Sequence, residues 1–228
     1  MLAPNIVDTR TRYIDYDIYY VFGRYPYPQH HQPHWPSHVT VKPVGTFGMT
    51  RQHFNNLNEP RKPDILFFVS RLIGEREFIT QAVALAEAFP DRQVIIKPKY
   101  RARSIYHMDF LTSLDSPPPN LIQSWDDSYA LMMACQYAVS NGSSSIAAEA
   151  VQYGLTSYVF DSFDAETPFF FREFPSMCYR EIEDVIEAIR KKERGEDNYH
   201  LDELTELIPI SAPFIGDSIR ADITGIDH

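Results

Sequence analysis

The sequence predicts an α/β fold built on a Rossmann-like parallel sheet with helices on both faces. Between residues 61 and 195, short apolar runs alternate with segments in which apolar residues recur at helical spacing. Alternating strands and helices form βαβ units with right-handed crossovers, and such units build a parallel sheet. The apolar runs are also nearly continuous, as expected for strands that are covered on both faces. Both observations favour this architecture.

Five apolar runs are predicted to be the strands of the sheet. The first of them, "DILFFVS", is apolar at almost every position, and the others are shorter runs of the same kind. The predicted strands are residues 64–70, 93–97, 121–123, 137–140 and 157–160.

Five helices are predicted to alternate with these strands. The longest carries apolar residues at helical spacing and is ended by Pro90. Another begins at a capping aspartate, Asp126 or Asp127, and a third ends at Gly154. The predicted helices are residues 75–89, 104–114, the capped segment as far as residue 135, 144–153 and 181–194.

Three regions are predicted along the chain. Residues 1–60 are an irregular N-terminal segment with short strands at 18–22 and 39–44 and a loop rich in proline and histidine. Residues 61–195 form the Rossmann-like domain. Residues 196–228 are an acidic, weakly periodic tail that is expected to pack on the domain or on a partner.

Composition excludes several classes of protein. The net charge of −10 argues against a nucleic-acid-binding protein, which needs a basic surface. The two cysteines, Cys135 and Cys178, have no metal-ligand spacing and are too few for a disulfide scaffold, which indicates a reducing compartment. No apolar run approaches the roughly 20 residues of a membrane span, and the first residues lack a signal-peptide core. We therefore expect a cytoplasmic protein.

A group of histidines in the N-terminal loop is the one sequence feature that suggests a metal. The loop is rich in proline and contains no helix that would fix the geometry of the ligands, so we expect no metal site there. The histidines are His30, His31, His34 and His38.

Basic residues follow two of the predicted strands, although the chain as a whole is acidic. Arg71 comes directly after the first strand, and Lys97 and Arg101 belong to the cluster "KPKYRAR" at the end of the second. Ligands of parallel sheets bind at the carboxyl ends of the strands. We therefore expect these cations to lie along one edge of the sheet and to bind an anion there.

The stretch "VSNGSSSIAAEAVQYG" runs from a predicted strand into a predicted helix. Gly142 and three serines stand at the helix start, where unpaired N–H groups and the helix dipole favour phosphate. Glu149 follows Ser145 by four residues, so both lie on one helix face. A capping box would need the glutamate one position earlier, so capping does not explain Glu149. A carboxylate there suits the two vicinal hydroxyls of a ribose.

The segments "VSRL" and "AVSNGSSSIAAEAVQYGLTSYVFD", with the order of strands between them, resemble the C-terminal, donor-nucleotide-binding half of a GT-B glycosyltransferase. Bacterial surface-polysaccharide enzymes are the members that the chain resembles most. In that family the pattern D-x-x-x-S-x-S-S-x-x-x-E-A-x-x-x-G-x-P binds the nucleotide-sugar donor. The resemblance implies that Ser143, Ser144 and Ser145 hold phosphate. It also implies that Glu149 binds the ribose and Arg71 the diphosphate.

The resemblance further implies a function and a set of partners. The chain would bind a nucleotide-activated sugar as a substrate, without a separate cofactor, for transfer to a glycan or lipid-linked acceptor. Only one half of the GT-B fold is recognisable, so an N-terminal acceptor-binding domain is expected on the same or another chain, and no catalytic residue is assigned. The alternatives are an enzyme similar to nucleotide-sugar 2-epimerases and a degenerate, non-catalytic module with a binding or regulatory role.

Each candidate residue also has a purely structural interpretation. The serines would only cap the helix, Glu149 would be an exposed helix residue, and the basic clusters would be solvated surface. Arg71 would pair with Glu75, four residues further on. After the last strand, Asp161 and Asp164 either contact sugar hydroxyls or lie in a solvated loop.

Overall fold

A six-stranded parallel sheet is the centre of the unit formed by residues 59–199. The computed structural model describes residues 16–23, 35–69, 75–98, 110–141, 144–161, 170–196, 198–205, 207–210 and 212–225. The described residues before Glu59 and after Tyr199 form a second unit. The sequence analysis placed boundaries after residues 60 and 195, and it did not predict that the tail shares a unit with the N-terminal segment.

The strands agree closely with the apolar runs. In chain order they are β1 (Ile18–Val21), β2 (Thr40–Pro43), β3 (Lys62–Val69), β4 (Val94–Pro98), β5 (Leu121–Gln123), β6 (Cys135–Asn141), β7 (Thr156–Phe160) and β8 (Cys178–Tyr179). The large sheet has the order β5-β4-β3-β6-β7-β8, and every neighbouring pair is parallel. The predicted α/β fold with a parallel sheet is therefore confirmed. Only β8 was not predicted, because two residues are too few to show a pattern.

The order of the strands fixes where a ligand is expected. The chain builds outward from β3 through β4 to β5, returns to β6 beside β3, and then builds outward in the other direction. This is the order of doubly wound sheets, which bind ligands outside the carboxyl ends of the strands where the direction reverses. In this chain that position lies between β3 and β6.

Six α-helices are present among the described residues. They are α1 (Arg51–Asn55), α2 (Glu75–Ala88), α3 (Ser128–Ala134), α4 (Ile146–Gln152), α5 (Ile182–Arg194) and α6 (Ile215–Thr224). The predictions for α2, α3, α4 and α5 agree with the structure to within about two residues at each end, whereas α1 and α6 were not predicted. Of the predicted helix at 104–114, residues 110–113 form a 3₁₀ helix and residues 104–109 lie outside the described part of the chain.

The ends of the helices have local causes. Asp127 caps α3, since its Oδ1 accepts hydrogen bonds from the N–H groups of Tyr129 and Ala130 at 3.0 and 3.1 Å. Gly154 follows α4 with φ of +84°, a left-handed conformation that suits glycine. Gly195 ends α5 in the same way, with φ of +68°.

The core on one face of the sheet joins strands to α2 and α5. Full burial of a valine, leucine, isoleucine or phenylalanine side chain contributes roughly 1.5–3 kcal/mol relative to exposure. The side chains at the centre of the cluster include Ile65, Phe67, Val94, Ile96 and Val139 from the strands, Phe78, Ala82 and Leu85 from α2, and Val185 and Ile189 from α5.

The second unit contains a two-stranded parallel sheet, β1 with β2, together with α1 and α6. Asp222 of α6 accepts hydrogen bonds from the Tyr20 hydroxyl at 2.7 Å and from the Lys42 ammonium. These two bonds lower the pKa of Asp222, and burial with the bond to Asp222 raises the pKa of Tyr20 to about 12. The tail is thus partly helical and bonded to the N-terminal strands.

No helix in the described ranges is both long and apolar enough to cross a membrane.

Candidate functional site

Lys97 and the serines after β6 lie at the same edge of the sheet. Lys97 of β4 and Ser140 of β6 both pair in register with Phe68 of β3. The two residues are therefore two strand spacings apart, about 10 Å, and their side chains point to the same face. Ser144 and Ser145 come shortly after the end of β6, so the structure brings these predicted residues to one edge.

Lys97 carries a buried ammonium group. The residue is 7% exposed, and its Nζ donates to the carbonyl oxygen of Pro98 at 3.4 Å. Among the described residues, no carboxylate forms an ion pair with it. Burial lowers the pKa of Lys97, and the carboxylates of Asp127 and Asp126 oppose this effect. A buried charge is costly unless it is paired, so this position favours an anionic ligand.

Glu149 is buried, and hydroxyl groups hold both of its carboxylate oxygens. Oε1 accepts a hydrogen bond from Ser145 Oγ at 3.0 Å, and Oε2 accepts one from Tyr129 Oη at 2.8 Å. Glu149 is 8% exposed, so the alternative interpretation of an exposed helix residue is wrong. The predicted juxtaposition of Ser145 and Glu149 is present, although the hydroxyl of Ser145 donates to the carboxylate.

Sequence analysis did not single out Tyr129. Its ring stacks on that of Tyr153, with centroids 5.3 Å apart and planes 19° from parallel. Tyr129 lies in α3, before β6, whereas Glu149 lies in α4, after it, and the two residues are 20 positions apart. No local spacing rule reaches that far, so only the fold reveals this contact.

Electrostatic interactions connect Asp127 to two titratable side chains near the site. The charge of Asp127 acts on Lys97 and also on Tyr153. The pKa of Tyr153 is raised mainly by burial and further by Tyr129, Glu149 and Asp127. Asp127 therefore influences both the ammonium group at the end of β4 and the phenol of Tyr153, on which Tyr129 stacks.

The serines at the start of α4 differ in their contacts. Ser144 Oγ accepts a hydrogen bond from the N–H of Ile146 at 3.4 Å, whereas Ser145 makes no side-chain capping bond. The helix has seven residues and begins at Ile146, two residues later than predicted. The dipole of so short a helix is smaller than the prediction assumed. Side chains must therefore contribute a larger share of any anion binding.

Ser140 is a second residue that sequence analysis missed. It is 1% exposed, and its Oγ has no hydrogen-bond partner among the residues that the structure describes. Buried hydroxyls are nearly always bonded, and an exception commonly marks a place for a water molecule or a ligand. Ser140 and Lys97 flank Phe68 on the same face of the sheet.

Four of the predicted binding residues, Arg71, Arg101, Gly142 and Ser143, lie outside the described residues. The proposed pairing of Arg71 with Glu75, the position of Asp164 and the histidines 30, 31 and 34 lie outside the description as well. In the described part of the chain, no group of three or more histidine, cysteine, aspartate or glutamate side chains is arranged to hold a metal ion.

Asp161 has a structural role at the end of β7. Its side chain is 1% exposed and accepts hydrogen bonds from Arg172 Nε at 2.6 Å and Arg172 Nη2 at 3.3 Å. The interpretation of Asp161 as part of a solvated loop is therefore wrong. The paired geometry indicates that Asp161 anchors the segment around Arg172, since such bidentate bonds to arginine are strong and directional.

Comparison with known proteins gives a likeness of fold. No family model and no curated protein matches the chain. Among solved structures, the glycotransferase of kitacinnamycin is similar with a TM-score of 0.51 and 16% identity, over 80% of this chain and 49% of that one. The GtfA/B complex matches with a TM-score of 0.46 and 17% identity, over 97% and 48% of the two chains. A UDP-GlcNAc 2-epimerase from Neisseria meningitidis, bound to UDP-GlcNAc, matches with a TM-score of 0.42 and 16% identity, over 76% and 46%.

The chain spans about half the length of each of these structures. Only the first likeness exceeds a TM-score of 0.5, and at 16% identity it concerns the fold alone. It agrees with the parallel α/β sheet of this chain. The resemblance to a GT-B glycosyltransferase is thereby confirmed at the level of the fold: the chain has the fold of about half of such an enzyme.

Proposed function

We propose that this chain is the donor-binding part of a glycosyltransferase with the GT-B fold. In this proposal it holds the diphosphate and the ribose of a nucleotide-activated sugar at the carboxyl edge of β3, β4 and β6. The observation that carries the proposal is the presence of a buried ammonium group, Lys97, and a buried carboxylate, Glu149, at this one edge. The likeness of fold to a glycotransferase supports it.

The two charged groups suit different ends of such a ligand. Lys97 would offer N–H donors to an anion, and the Ser144 hydroxyl would add another at the start of α4. Glu149 offers acceptors, which suit a part of the ligand that presents hydroxyl donors. A nucleoside diphosphate has both parts, an anionic diphosphate and a ribose diol.

The same arrangement supplies part of the chemistry of glycosyl transfer. Negative charge develops on the leaving diphosphate as the bond to the sugar breaks, and a fixed cation in a site of low polarity stabilises that charge. Lys97 would provide this stabilisation, together with Arg71 and Arg101 as predicted from the sequence. A glycan or lipid-linked acceptor would be bound and deprotonated by an acceptor-binding domain on the same or another chain.

Nucleotide titration of the full chain tests the proposal. We expect UDP, CDP or GDP to raise the melting temperature, because a ligand at about 100 times its Kd stabilises the folded protein by about 2.7 kcal/mol. Glu149→Gln and Lys97→Met should each remove most of this gain. Glu187→Gln is the matched control, since Glu187 pairs with Arg194 on the exposed face of α5 and should leave the gain unchanged.

The outcomes separate the proposal from its alternatives. Stabilisation by one nucleoside diphosphate that depends on both residues supports it. Epimerised sugar formed from the nucleotide sugar without any acceptor would instead indicate a 2-epimerase. No stabilisation by any of the three nucleotides would overturn the proposal and favour a non-catalytic module.

A further inference from the structure

We infer that Tyr129 and Ser145 are positioning residues for Glu149, and that through it they make the site prefer a ribonucleotide to a 2′-deoxyribonucleotide. The inference rests on the proposed function, because it takes Glu149 as the residue that binds the ribose. It adds one residue, Tyr129, that no sequence pattern indicated, and it gives Ser145 a role other than phosphate binding.

The first argument is the way in which the carboxylate is held. One hydroxyl donates to each oxygen, Ser145 to Oε1 and Tyr129 to Oε2. The terminal torsion of a glutamate side chain is normally broad, with no strongly preferred angle. Two donors on opposite oxygens restrict that torsion, so the carboxylate plane is fixed before any ligand binds.

The second argument is that Tyr129 is itself fixed. Its ring stacks on Tyr153, whose side chain is fully buried, and its backbone N–H is bonded to the capping carboxylate of Asp127. A phenol held at its ring and at its backbone loses little further freedom when a ligand binds. Such pre-organisation reduces the entropic cost of binding.

The third argument concerns selectivity. A ribose presents two vicinal hydroxyls, and a 2′-deoxyribose has lost one of them. A site with fixed, buried polar groups discriminates against an analogue that lacks a bonded hydroxyl, because the protein group is then left without its partner. A carboxylate that is free to rotate adapts to the remaining hydroxyl, so discrimination should fall when either positioning residue is removed.

Calorimetric titration of the full chain tests this role. UDP, CDP and GDP are each compared with their 2′-deoxy counterparts, for the wild type, Tyr129→Phe and Ser145→Ala. The wild type should prefer the ribonucleotide by about tenfold, and each variant should reduce that preference by about fivefold, as expected for one hydrogen bond. Affinity for the 2′-deoxynucleotide should be nearly unchanged.

A matched control isolates the effect of the hydroxyl. Tyr179→Phe also removes one phenol hydroxyl, which donates to the Ser176 carbonyl in the β8 region. This variant should keep the wild-type preference. Tyr129→Phe keeps the ring that stacks on Tyr153, so we expect this variant to fold. Its melting temperature checks that it does.

Each outcome bears on a different statement. An unchanged preference in Tyr129→Phe would overturn the inference while leaving the proposed function intact. Equal losses for the ribonucleotide and the 2′-deoxynucleotide in Ser145→Ala would show that Ser145 contacts phosphate, which overturns its positioning role. A wild type that binds none of the nucleotides would overturn the proposed function, and this inference with it.

Discussion

Lys97 illustrates, at the scale of the residue, that a side chain suited to binding a ligand can lower the stability of the folded protein. A buried ammonium group lowers the stability of the ligand-free protein, and here its pKa is lowered by that burial. Proteins that keep such a group commonly exchange stability for function. If Lys97 binds an anion, its removal should help the empty protein and harm the complex.

We expect Lys97→Met to raise the melting temperature of the ligand-free protein by about 2–4 °C, which corresponds to about 1 kcal/mol in a chain of this size. Methionine has a similar length and no charge to desolvate. Thermal denaturation at pH 7 measures the effect. Lys62→Met, at an exposed position at the start of β3, is the control and should change little. A lower melting temperature for Lys97→Met would show that the ammonium group stabilises the fold.

The higher stability expected for Lys97→Met should depend on pH in a definite direction. The folded protein releases the proton of Lys97 at lower pH than the unfolded chain, whose pKa is near 10.5. Between those two values the unfolded chain binds more protons, so the stability of the wild type rises with pH. The rise in melting temperature caused by Lys97→Met should therefore be greatest below the folded-state pKa of Lys97 and should shrink as the pH approaches 10.5.

The sequence predicted some of these residues and missed others for physical reasons. Lys97 and Glu149 were predicted, because Lys97 stands at the end of a strand and Glu149 stands one turn into the helix that follows another strand. Tyr129 and Ser140 were not predicted. Tyr129 acts through a contact between two separate helices, and Ser140 is distinguished only by its lack of a hydrogen-bond partner among the described residues.

Asn120 shows, at the scale of the element, how one side chain bonds to the carbonyl groups at the end of a helix. It precedes β5, and its Nδ2 donates to the carbonyl oxygens of Ala86, Phe89 and Arg92 at 2.9, 3.0 and 2.8 Å. Carbonyl groups at a helix end have no partner within the helix. The amide of Asn120 therefore satisfies the end of α2 and joins it to the sheet.

We expect Asn120→Ala to lower the free energy of unfolding by about 1–3 kcal/mol, the usual cost of leaving such groups without their partner. Asn120→Asp should cost more at neutral pH, because an ionised carboxylate only accepts hydrogen bonds and would face three carbonyl oxygens. Urea denaturation measures both variants, with Ser113→Ala, at an exposed position of the 3₁₀ helix 110–113, as the control. Equal effects of alanine and aspartate would contradict this role for the amide.

The two helices that the sequence did not predict, α1 and α6, depend on an unusual capping pair or on contacts with distant parts of the chain. In α1, the capping box pairs Thr50 with His53, where glutamate or glutamine is the usual partner. In α6, the first turn contains Gly216, Asp217 and Ser218, which are poor helix formers. Contacts with α1 compensate, since Arg51 pairs with Asp217 and Phe54 packs on Phe214.

The molecule as a whole consists of one continuous and one discontinuous unit. Residues 59–199 contain all six strands of the large sheet and every residue assigned to the proposed site. The alternation of strands and helices was enough to predict the parallel α/β fold of this unit. The second unit was not predicted, because it depends on specific pairs such as Lys42 with Asp222, which are 180 residues apart.

We expect a fragment of residues 59–199 to fold cooperatively and to bind the same nucleoside diphosphate as the full chain. Its core includes the complete cluster between the sheet, α2 and α5. Calorimetric unfolding and nucleotide titration of the fragment measure both properties. A fragment that folds but does not bind would show that the ligand needs residues from outside this range.

The discontinuous unit has a consequence for synthesis on the ribosome. The strands β1 and β2 emerge early, but Asp222, which bonds to both Tyr20 and Lys42, emerges only after residues 59–199. Domains generally fold as units while the chain is still growing. The order of translation thus places the completion of the unit of residues 59–199 before that of the second unit, because the bonds from β1 and β2 to α6 form only after Asp222 has emerged.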